Sequence, residues 1–187
     1  MHNYEATHGK LPPAVVYGKY GEPLYSWRVV LLPFIEQDAL YREFHLDEPW
    51  DSPHNLTLLP RMPRTYAPPP RKASKVPPHY TVCHVFVGKG TPFEGAEGVP
   101  LNGEGFPDGT SSTFLIVEAG EPVPWTKPAE LPYAPDQPLP DLRCLFKDGF
   151  RAGLADGSVH WVRNGTSEAT LRAAITHNGG EQFGPDW

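Results

Sequence analysis

Basic clusters are scarce in this chain of 187 residues: its 16 lysines and arginines, set against 22 acidic residues, form no block longer than Arg71-Lys72. Binding a phosphate backbone takes a concentrated basic face, so a formal charge of −6 argues against nucleic acid as a partner. Long apolar runs are missing too. No stretch nears the ~20 apolar residues that a membrane-spanning helix needs, and no secretory leader is legible. The opening segment, Met1 to Gly9, reads instead as the last turns of a helix closed by glycine. Residues 1–9 are therefore expected to be the end of a longer N-terminal helix. Cysteine is nearly absent, and two residues, Cys83 and Cys144, define no disulfide framework. Paired, in an oxidising compartment, they would close a loop of about 60 residues, worth roughly 4 kcal/mol in the chain-entropy model. Otherwise they are two separate buried thiols.

The motifs of familiar chemistries are missing as well. None of the eight histidines falls in a His-x-x-x-His or His-Glu-x-x-His pattern, and there is no Cys-x-x-Cys, so no transition-metal or other cofactor is expected. No Gly-x-Ser-x-Gly elbow or phosphate loop is present either. Ser111 and Ser112 read as turn caps rather than nucleophiles. Asp108 and Asp156 are weak calcium candidates, because carboxylates beside turns can supply oxygen ligands, yet the spacing of an EF-hand is lacking. The plainer expectation is that each bonds its own turn backbone. A hydrolase would have to assemble a site from scattered groups such as His84, His160, Glu118 and Asp156. No catalytic residue is assigned.

What the chain does have is 24 prolines and 18 glycines, with 39% hydrophobic and 12% aromatic residues. Proline stands far above the usual ~5%. This predicts a folded chain, one domain over 1–187, made of short elements joined by long stiff connections. Ser26 is a plausible N-cap for a helix whose Trp27, Val30, Leu31, Phe34 and Ile35 share one face, with Pro33 kinking it and Asp38 capping a continuation through Leu40, Tyr41 and Phe44. Ser52 and Pro53 start a short helix. From Pro60 to Pro78, seven prolines predict an extended surface crossing.

Strands gather in the second half. Tyr80 to Val87 is rich in β-branched and aromatic residues, and Thr113 to Ala119 follows the first of two Asp-Gly pairs, Asp108-Gly109. The second pair, Asp156-Gly157, joins Phe150–Leu154 to Val159–Val162; both are expected as type I′ hairpin turns. A final helix starts at Thr166 or Ser167, buries Leu171, Ala174 and Ile175, and stops at Gly179. Helices at the ends and strands between, with no β-α-β alternation, give an α+β class: an N-terminal helical segment packed on an antiparallel sheet, with Pro-rich loops and a short C-terminal helix. Trp50 and Trp125 lie in or near those loops. Each either offers an aromatic surface to a glycan or peptide or plugs its loop onto the core.

Several segments together resemble a known family. His2 to Pro13, Ser26 to Gln37, Leu46 to Asn55, Asp108 to Thr113, Val123 to Pro128 and Ala155 to Val159 look like the pilin-like domain of unknown function expanded in planctomycetes. The resemblance implies an extracytoplasmic head of a pseudopilin-like subunit at the cell envelope, reaching the membrane only through a helix outside this chain. It further implies other envelope or pilin-like proteins as partners, assembly into oligomers, and no enzymatic activity to carry over. Two positions depart from that family's pattern. Phe146 stands where many members have a histidine followed by nine residues and then the terminal Asp-Gly, and Ser112 replaces an asparagine in the first turn. A binding module for glycan or protein is the alternative.

Overall fold

Ser26 organises the N-terminal half. Its Oγ accepts the Arg28 N–H at 3.3 Å and starts α2 (Trp27–Val30). Pro33 then divides the expected helix, since proline fits the first turn of a 3-10 helix but not the interior of an α-helix. A 3-10 turn at Leu32–Ile35 follows, closed by Glu36 in the left-handed region (φ 61°), and α3 (Asp38–Tyr41) starts afresh. The break rotates the buried face. Val29 and Leu32 are fully buried, while Val30, Phe34 and Ile35, expected inside, are only partly covered. Asp38 does not cap α3; its carboxylate pairs with Arg42 at 2.7 Å. Ser52 does cap α4 (Pro53–Leu56), accepting the Asn55 N–H at 3.1 Å.

The structure is a computed structural model that describes residues 1–181 and 183–187, with the side chains of Arg71 and Ser74 left aside. Its class is α+β, as the order of elements predicts. The segment from Pro60 to Pro78 differs from the extended crossing. It folds into 3-10 turns at Leu59–Arg61, Arg64–Tyr66 and Pro70–Lys75, because a φ near −65° suits a tight helical turn as well as an extended chain. These turns carry Tyr66 inward, where its hydroxyl donates to the Arg28 carbonyl at 3.0 Å.

The main sheet has four antiparallel strands in the order β3 (Tyr80–His84), β5 (Phe114–Pro124), β7 (Gly149–Leu154) and β8 (Val159–Arg163). β5 is the long central strand, passing Ala119, its expected end, through Gly120 at φ 78°. Two smaller sheets accompany it. β1 (Val15–Tyr17) pairs antiparallel with β2 (Pro23–Ser26), and β4 (Phe86–Val87) pairs with β6 (Leu131–Pro132) in parallel, which the antiparallel expectation missed.

The two Asp-Gly pairs do different jobs. Ala155-Asp156-Gly157 connects β7 to β8, with only Gly157 at positive φ (89°), and Leu154 both donates to the Ser158 carbonyl and accepts from the Gly157 N–H. That is a type I turn closed by a left-handed glycine, a three-residue hairpin rather than type I′. Asp108-Gly109 turns no hairpin at all, since no strand runs into it between β4 and β5. α5 (Glu168–Ile175) is capped by Ser167 Oγ on the Thr170 N–H and ends at Thr176, short of Gly179. One core cluster lies under α2, α3 and the Pro-rich turns around Trp27, Tyr66 and Trp125; another lies between the sheet and α5 around Phe114, Phe150 and Ile175. Among the described residues no helix is long and apolar enough to cross a membrane.

Candidate functional site

The two Asp-Gly turns meet each other and the N-terminal helix. Ala155 N–H donates to the Thr113 carbonyl at 2.9 Å and Asp156 N–H to the Thr110 carbonyl at 3.0 Å, so the first turn cradles the second. Against this pair lies α1 (His2–His8), closed by Gly9 at φ 75°. His2 Nε2 lies 2.9 Å from the Ala155 carbonyl and Glu5 Oε1 accepts the Leu101 N–H at 3.2 Å, while the Tyr4 ring meets Phe34 edge-on at 5.2 Å. Three segments distant in sequence thus form one joint.

The carboxylates of the two turns are already occupied. Asp156 Oδ1 accepts the Ser158 N–H at 2.8 Å and its Oγ–H at 2.6 Å, and the Ser158 bonds hold the carboxyl below the usual aspartate range. Asp108 accepts the Gly180 N–H at 3.1 Å on both oxygens. Among the described residues no group of three or more His, Cys, Asp or Glu side chains is placed to hold a metal ion.

Trp125 offers nothing to a ligand. It is fully buried, its Nε1–H donates to the Leu59 carbonyl at 3.0 Å, and Phe44 and Tyr66 pack on its ring at 5.9 Å. Trp50 is half-buried against the same core, with the Lys127 ammonium 5.8 Å from its ring centroid. Cys83 and Cys144 stand as free, half-buried thiols, each pushed up by burial, Cys144 to about 11. The four groups that a hydrolase would need do not converge. His84 is buried beside Arg28, Glu118 pairs with Arg151, His160 stacks on Trp187 at 4.5 Å, and Asp156 stays in its turn. Among the described residues no hydrogen bond or ion pair joins any two of them.

Two clusters escaped the sequence reading. The first is ionic and buried: Arg28 and Glu130 pair at 2.9 Å with side chains 0% and 1% exposed. Arg28 also donates through Nε and Nη2 to the Cys83 carbonyl at 2.9 and 2.6 Å and through Nη1 to Ser26 Oγ at 2.6 Å. Glu130 accepts the Val85 N–H at 3.0 Å, tying β3 and α2 to the Pro-rich loop. His84 completes the group, with Nδ1 3.1 Å from the Ala129 carbonyl, Nε2 3.0 Å from the Glu121 carbonyl and Glu130 Oε2 at 3.8 Å from Nδ1. A neutral ring donates to only one of those carbonyls. Burial, reinforced by the Arg28 guanidinium, nonetheless pushes its pKa down to about 4.

The consequence is a pH dependence of stability with a definite sign. The unfolded imidazole takes up its proton near pH 6.5 and the folded one only near 4, so this group's stabilisation is present above that window and is lost as pH falls through it. The loss is about 3 kcal/mol at 1.4 kcal/mol per unit. Urea titrations of the wild type and His84→Gln should therefore show a stability difference that shifts by about 3 kcal/mol against the wild type between pH 7 and pH 4. A difference that stays level with pH would refute it.

The second cluster is a row across the sheet face opposite α5. Cys83 lies opposite Glu118 in the β3–β5 register, Arg151 opposite Trp161 in β7–β8, and Arg151 grips Glu118 through Nε and Nη2 at 2.8 and 3.1 Å. Period-2 alternation could have placed Arg151, Trp161 and Glu118 outward, but their register became visible only with the fold.

Residues 1–83 match a protein family described as "Protein of unknown function (DUF1559)". That match covers α1, the α2–α3 region, the Pro-rich turns and most of β3. No curated protein and no solved structure matches the chain.

Proposed function

We propose that this chain is a structural or interaction module, the extracytoplasmic head of a pseudopilin-like subunit in a surface or secretion-type assembly, with α1 as its neck and other envelope proteins as its partners. The observation that carries this reading is the seating of α1 on the head, with His2 on the Ala155 carbonyl of the second Asp-Gly turn, Glu5 on the Leu101 N–H and Tyr4 against Phe34. A helix bonded at its first turn to the head transmits position as a lever does, whereas a frayed terminus would not. The family match over residues 1–83 takes in this neck and the segments beneath it, and the family's description assigns no function.

The test is fractionation of native cells expressing the full-length gene product, followed by cross-linking and co-purification. The reading expects the protein in the envelope fraction with a partner in fixed ratio. A soluble cytoplasmic protein without one would overturn it. In parallel, His2→Ala should speed amide exchange within α1 about fivefold, the worth of one hydrogen bond of about 1 kcal/mol, while global unfolding stays unchanged. Unaltered exchange in α1 would show that the joint does not hold the neck.

A further inference from the structure

The outer face of the sheet combines an exposed aromatic surface with unmatched hydrogen-bond donors. Trp161 is 40% exposed and meets the Phe146 ring edge-on at 5.2 Å. Two cations approach the same Phe146 ring, Arg151 at 5.5 Å and Lys72 at 5.3 Å from its centroid. Beside them lies an open cavity of about 680 Å³ lined by Pro69, Pro70, Lys72, Phe146 and Arg151. Its size falls among those of small-ligand sites, about 300–1,000 Å³.

The charges identify the occupant. Arg151 gives two of its five N–H groups to Glu118, which leaves three, and Lys72 makes no ion pair among the described residues. Positive donors are thus in excess on this face, although the chain as a whole carries −6. The Arg151–Glu118 pair also sets donors and acceptors side by side, which matches vicinal hydroxyls that donate and accept together. The indole and the two proline rings supply rigid apolar surface for the C–H face of a pyranose, at little entropic cost on binding.

We propose that this face binds an acidic polysaccharide, with a pyranose ring on Trp161, its hydroxyls on Arg151 and Glu118, and a uronate carboxylate on Lys72. An acidic peptide would satisfy Lys72 but would leave the donor–acceptor pair and the ring platform without matching groups. The site uses the outer face alone and does not depend on the head reading. Envelope fractionation tests the one and sugar titration the other, so each can fail without the other.

The experiment is calorimetric titration of the intact chain with oligogalacturonate at low and moderate salt, with neutral dextran oligomers and poly-L-glutamate as comparisons. Oligogalacturonate should bind, more weakly as salt rises, and at least tenfold more weakly to Trp161→Ala and to Lys72→Glu. Lys72 lies on a surface turn and Trp161 on an edge strand, so circular dichroism should confirm that both variants stay folded. The proposal is overturned if the folded wild type binds no oligogalacturonate, if both variants bind as the wild type does, or if poly-L-glutamate binds equally tightly.

Discussion

Replacing Arg28 by methionine should lower the unfolding free energy by about 3–5 kcal/mol, the usual result of removing one partner of a buried ion pair. Glu130 would keep its buried carboxylate without a cation, and the Cys83 carbonyl would lose both of its guanidinium donors. Methionine fills similar volume, so the loss reports the orphaned charge rather than a cavity. Two further measurements separate that cause from general damage. A second change, Glu130→Gln, should recover about 1–3 kcal/mol, because an amide is cheaper to bury than an unpaired carboxylate. The single variant should also regain ground on acidification. Burial already raises the Glu130 carboxyl and Arg28 opposes that rise, so without Arg28 its folded pKa climbs further above the unfolded one. A carboxyl raised in the folded state contributes stability below its unfolded pKa and loses it as pH rises. His84 moves the same way, since Arg28 helps to hold it neutral. Denaturant midpoints of Arg28→Met that track the wild type at every pH would show that the pair contributes little.

That ionic cluster also marks the limit of what could be read from residue order. Ser26 as an N-cap, Ser52-Pro53 as a helix start, the β7–β8 hairpin and α5 with its Ser167 cap all rest on contacts within a few residues, and such contacts are written locally. Arg28 sits one residue along from Trp27 in an apolar helix, where an arginine reads as the solvent side. Its partner Glu130 lies 102 residues away, in a loop with no period at all. Only the fold brings them together. The first Asp-Gly failed as a hairpin for a related reason, because a turn residue announces a turn and not which segments flank it. Asp108 answers instead to Gly180, and the neighbouring Thr110 and Thr113 carbonyls to the second turn. Proline misled in the other direction: it excludes regular helix and inner strand but permits 3-10 turns as readily as extended chain, so Tyr66 went unrecognised as core.

Trp125→Ala should cost about 3–5 kcal/mol, the range for truncating a large buried aromatic. The indole is what closes the Pro-rich loop over the first core. Its ring meets Phe44 from the α3 region and Tyr66 from the 3-10 turns, and its Nε1–H satisfies the Leu59 carbonyl. Truncation therefore opens a cavity among three segments and strips a partly buried acceptor of its donor. The chain around it is held by its own backbone, with Trp125 N–H on the His79 carbonyl at 3.2 Å and Ser26 N–H on the Thr126 carbonyl at 3.1 Å, so the loop cannot easily collapse into the space. Trp125→Phe divides the effect, keeping most of the packing and losing the hydrogen bond, and should cost less than half as much. A ligand-binding tryptophan would behave in the opposite way, since exposed aromatics can be truncated with stability changes within about 0.5 kcal/mol. Thermal and urea unfolding of Trp125→Ala beside Trp161→Ala makes the contrast direct: a large loss at 125 and a small one at 161 separates the core plug from the exposed platform. Equal losses at both positions would mean that Trp161 is needed to hold the sheet, and would remove the ground for treating it as a surface free to bind.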